Sequence, residues 1–150
     1  MSFKITWKTH VICTIIAFAI AQLLGSTAGN IVEDFILKPF ILYPTKNLII
    51  NFYIYVLLLM IPISIIHEGI HGIVYKVFGG TVKYGFKGIY AYTQEISEIA
   101  IDRVKFLIIL LAPLAVMSIM TLFLPLWLGG MMFFLNLLGA SGDLYMSFKD

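Results

Sequence analysis

Leu48 to Phe78 is an apolar run of 31 residues that carries two histidines and a glutamate in its later half. At 1.5 Å per residue a helix of that length measures about 46 Å, against roughly 30 Å for the hydrocarbon core of a bilayer. The run shows no strand-like alternation, so it reads as a membrane helix that must tilt, bend or protrude. Pro62 is the natural bend, because it removes one backbone hydrogen bond and crowds the carbonyl of Leu58. The segment His67-Glu68-Gly69-Ile70-His71 lies beyond it. Ionisable groups inside a bilayer cost about 2.5–3.5 kcal/mol each on insertion scales, so three within five residues point to function.

The rest of the chain repeats the pattern. It is 61% hydrophobic and 12% charged, whereas soluble domains run at roughly 45–50% and 25%. The composition is that of an integral membrane protein. Spans of about 20 residues fit at about 10–28, 48–78, 104–128 and 131–148, within a single domain over residues 1–150. The expected fold is an all-α polytopic membrane protein of about four transmembrane helices. A short β-hairpin at about 80–94 separates the second and third. There Val82, Tyr84 and Phe86 alternate with Thr81, Lys83 and Gly85, and Lys87-Gly88 reads as a tight turn.

Smaller features follow from the same frame. Ser26-Thr27-Ala28 resembles a signal-cleavage site, but the first run continues towards Asn30 and reads as a retained span. Residues 31–47 read as a linker lying along the membrane interface through Phe35, Ile36, Phe40, Ile41 and Tyr43. The lone Cys13 excludes an internal disulfide and reads as a small hydrophobe. A net charge of +2 is too small to suggest nucleic acid as a partner, and none is expected. On four crossings, eight of the ten basic residues fall on one side, so the positive-inside rule puts both termini and the hairpin in the cytoplasm.

Chemistry concentrates on the second span. Residues four apart on a helix share a face, so the imidazoles of His67 and His71 can hold one metal ion. Glu68 stands about 100° around the helix, where a general base can take a proton from a metal-activated water. This is the H-E-x-x-H pattern of zinc peptidases. Ser64, His67, Glu68, His71 and Tyr75 form one polar stripe, and Gly69 and Gly72 leave room for a neighbouring helix. A catalytic zinc needs a third protein ligand. Asp143 in the fourth span is the first choice, with Glu95 or Glu98 as fallback. Asn136, Gly139, Ala140 and Asp143 share a small polar face fit to pack on those glycines. Asn136 can orient a ligand or donate to a developing oxyanion.

His-Glu-Gly-Ile-His in one span, with Ser141-Gly142-Asp143 in a late one, resembles the intramembrane zinc proteases of the site-2 protease superfamily. It is closer to the small bacterial membrane proteins described as zincin peptidases. The likeness runs from about Leu48 to Tyr145 and includes the Gly79-Gly80 hairpin and Leu110-Leu111-Ala112-Pro113. It departs from site-2 proteases in having Gly142 before Asp143 and no nearby proline. The resemblance implies a Zn2+ metallopeptidase with His67, His71 and Asp143 as ligands and Glu68 as base. Its substrates would be membrane proteins or peptides. The rival classes are a zinc-binding membrane protein without peptidase activity, such as a lipid amidase or metal carrier, and an inactive scaffold.

Overall fold

The first apolar run ends at Gly25, whose φ of +47° is a backbone conformation that residues with a side chain rarely adopt. Helix α1 (Trp7–Leu24) stops before it and α2 (Ser26–Leu37) starts after it. The computed structural model describes residues 7–38, 44–88, 90–97 and 101–149. Beyond α2 these form α3 (Leu48–Val77), β1 (Val82–Lys87), β2 (Tyr90–Glu95), α4 (Arg103–Thr121), α5 (Leu126–Gly139) and α6 (Ser141–Lys149).

This corrects the expectation of four transmembrane helices. Among the described residues only α1, α3 and α4 are long and apolar enough to cross a membrane. The hairpin joins the third and fourth helices, not the second and third, because Gly25 opens a separate helix in what reads as a linker. The expected fourth span divides at Ala140, where Gly139, Ser141 and Gly142 are all poor helix formers. Its apolar part, α5, has 14 residues, about 21 Å at 1.5 Å each, which is short of a ~30 Å core. The chain remains a multi-pass membrane protein, but the side-counting of basic residues on four crossings loses its frame.

Helix α2 has a buried role. Ala28, Ile31, Val32 and Phe35 recur at i, i+3, i+4 and i+7, one apolar stripe. Ala28 and Phe35 pack with Met131 and Phe134 of α5. Phe35 is 1% exposed, with its ring edge-on to Phe52 at 6.2 Å and tilted against Trp127 at 6.1 Å. It therefore belongs to the core and not to the membrane interface; Phe40, Ile41 and Tyr43 lie outside the described residues.

Helix α3 is continuous through Pro62. Asn47 caps it, its side chain accepting the N–H groups of Ile49 and Ile50. Asp102 caps α4 in the same way. The Lys105 backbone N–H, with its ammonium group, holds the Asp102 carboxyl below its ordinary range. Helix α4 ends because Pro125 has no N–H to offer the Thr121 carbonyl four residues back. That carbonyl instead accepts the Leu124 N–H at 3.2 Å and lies against buried Gly129. A methyl group at Gly129 would overlap it. Gly129→Ala should therefore destabilise the α4–α5 corner by about 1–3 kcal/mol, the usual cost of overpacking, measured by denaturant unfolding in detergent.

The hairpin pairs β1 with β2 antiparallel, with Lys87 opposite Tyr90, and turns through Gly88 at φ +66°. Its second strand is tied to α3. The Ala91 N–H donates to Ser64 Oγ at 2.9 Å, and the Thr93 hydroxyl donates to the Glu68 carbonyl at 2.7 Å. On β1, the end of the Tyr84 ring fills the space over Gly72, where a Cβ would collide with it. The room at Gly72 thus admits the hairpin and not a neighbouring helix. At Gly69 nothing approaches, and Gly139 is exposed and open. Gly72→Ala should lift the hairpin from α3, and limited proteolysis within 82–95 should speed up at least severalfold.

Candidate metal centre

Four helices converge on one point. Helix α3 brings His67 and His71 one turn apart and buried, their ring centroids 4.9 Å from each other. Helix α6 brings Asp143, whose Oδ2 lies 2.9 Å from His67 Nε2 and 3.4 Å from His71 Nε2. Helix α5 brings Asn136, 1% exposed, with Oδ1 2.9 Å from His67 Nδ1. Helix α4 brings the Ile109 carbonyl, 2.9 Å from His71 Nδ1. On either side of the break at Ala140, Asn136 of α5 meets His67 alone, whereas Asp143 of α6 reaches both rings.

The hydrogen bonds specify the proton positions. A backbone carbonyl only accepts, so His71 must carry its hydrogen on Nδ1. With Asn136 Oδ1 facing it, His67 does the same. Each Nε2 then faces the Asp143 carboxylate, at 2.9 Å from His67 and 3.4 Å from His71, where a proton or a metal ion can bridge nitrogen and oxygen. His67, His71 and Asp143 each offer one ligand atom, and these lie within 4.8 Å of one another, so they can close on one metal ion. Their chemistry, two imidazoles and one carboxylate, matches zinc. His67, His71 and Asp143 would hold such an ion, which would supply Lewis-acid chemistry there. The outer N–H of each imidazole donates to an oxygen, the arrangement that normally fixes tautomer and ring orientation at metal sites.

The other sequence candidates fall as follows. Glu68 lies between the two histidines and is half-buried. Its backbone carbonyl, not its carboxylate, is taken by Thr93. Among the described residues its carboxylate has no hydrogen bond or ion pair. Glu95 ends β2 and accepts the Ser97 N–H and hydroxyl; it is not in the donor cluster, and Glu98 lies outside the described residues. Asn136 Nδ2 is buried with no hydrogen-bond partner among them. Sequence reasoning did not foresee Ile109 or Thr93. Ile109 acts through its main chain, which no side-chain pattern marks, and Thr93 reads only as one alternation in a strand.

A family model described as "Putative zincin peptidase" matches residues 60–149, which hold all of these groups. No curated protein and no solved structure matches the chain.

Proposed function

Since the chain belongs to the zincin-peptidase family so described, we propose that it is a zinc-dependent peptidase. It cuts peptide bonds within or beside the membrane. The observation that carries this reading is the meeting of His67, His71 and Asp143, with Glu68 between the two histidines on the same helix and its carboxylate without a hydrogen bond or ion pair among the described residues. Two histidines and one acid are a catalytic zinc set with a position to spare. The resemblance to site-2 proteases supports the placement of that chemistry in the membrane.

In this reading His67, His71 and Asp143 hold the metal. When bound, zinc supplies Lewis-acid chemistry and makes water acidic enough to ionise near neutral pH. Glu68 accepts the proton of the attacking water and returns it to the leaving amine. A metal carrier would need the histidines but not this carboxylate. Asn136 holds the His67 ring, and its buried Nδ2 has no hydrogen-bond partner among the described residues. Thr93 and Ser64 fix the hairpin beside the base. The outer edge of β2 faces α3, so β1 keeps the edge to which an extended peptide can add. In this reading the hairpin end is cytoplasmic, because the hairpin and the helix ends that flank it carry Lys76, Lys83, Arg103 and Lys105.

The test is metal-dependent hydrolysis. The full chain, purified in detergent without chelators, should hold one zinc and cleave a fluorogenic membrane-anchored peptide. 1,10-Phenanthroline should remove both, and added zinc should restore both. A preparation that holds no zinc under these conditions rejects the reading in favour of a scaffold.

A further inference from the structure

Each interior carbonyl of an α-helix accepts the N–H four residues further on. For Ile109 that residue is Pro113, which has none. Both lie inside α4 and are buried, so water does not replace the missing donor. The proline ring also crowds the carbonyl four residues back and turns it outward from the helix. The group that meets this carbonyl is His71 Nδ1 at 2.9 Å.

We propose that Pro113 is a positioning residue for the metal centre: by withholding an N–H, it leaves the Ile109 carbonyl to His71 and turns His71 Nε2 towards Asp143. The two histidines are thus held by different means. His67 is oriented by a side chain, Asn136, whereas His71 is oriented by a main-chain oxygen that a regular helix would not spare. Pro62 is an internal contrast. It creates the same deficit at Leu58, but Leu58 is exposed and no imidazole bonds there among the described residues. A proline in a span does not by itself make such a contact; the packing of α3 on α4 does.

The proposal rests on the metal-binding half of the function above and not on hydrolysis. Its test is the zinc affinity of the detergent-solubilised full chain, measured by chelator competition. Pro113→Ala supplies an N–H that competes for the Ile109 carbonyl, and zinc affinity should fall about 10-fold, the lower end of what partners of metal ligands are worth. Pro62→Ala should stay within about twofold of wild type on the same reasoning. Equal affinity in Pro113→Ala and wild type would overturn the proposal. Nitrogen-15 NMR of the metal-free protein reads the same contact without zinc. Wild-type His71 should carry its hydrogen on Nδ1, and Pro113→Ala should populate the Nε2–H tautomer. An unchanged tautomer would also overturn it. A wild-type protein that binds zinc but hydrolyses nothing would sink the peptidase reading and leave this one standing.

Discussion

Glu68→Gln should abolish peptide hydrolysis while the protein keeps its zinc. Glutamine has the same shape but cannot take a proton at neutral pH, so the substitution removes the base and little else. Positioned general acid–base groups contribute roughly 10²- to 10⁴-fold, and Glu68 serves in both halves of the reaction. A fall in kcat of at least about 100-fold is expected, with KM nearly unchanged. The fold should tolerate the change, because α3 is tied to the hairpin through the Glu68 carbonyl and not its carboxylate. None of the three clustered donors is touched. Hydrolysis is read with a fluorogenic peptide and zinc by elemental analysis of the same preparation. Activity retained in a zinc-loaded Glu68→Gln protein would remove Glu68 from the mechanism.

Asp143→Ala should act the other way, on the metal first. The cluster would keep two imidazoles, still oriented by Asn136 and the Ile109 carbonyl, but lose its only anion. Groups that merely orient a ligand are worth 10- to 100-fold in metal affinity, so loss of a ligand should cost at least ~100-fold. Chelator competition measures this directly, and hydrolysis should fall with occupancy. An affinity within a few-fold of wild type would mean that the third donor lies elsewhere. Unfolding of the metal-free proteins separates this from misfolding. A metal-free Asp143→Ala protein that unfolds at the same denaturant concentration as metal-free wild type would assign the lost affinity to the ligand and not to the fold.

The stripe of α2 was legible in the sequence, since Ala28, Ile31, Val32 and Phe35 have helical spacing, but a reading drawn to long apolar runs passes over it. Gly25 was the mark of the break before it. The division at Ala140 had a weaker mark, because small residues are as common at helix contacts as at helix ends. Glu95 and Asp143 were both acids at workable distances along the chain, and spacing alone could not separate them.

By itself the sequence determined that this chain lives in a membrane, that α3 is a helix, and that His67, Glu68 and His71 lie on it in a fixed angular relation. Those properties depend on hydrophobicity and helical geometry, which act over a few residues. Only the tertiary structure decided that Asp143 and not Glu95 reaches the histidines, that the Ile109 carbonyl holds His71, and that Tyr84 fills the space at Gly72. Those contacts join residues far apart in the chain and depend on how the helices pack. Local periodicity carries no record of that packing.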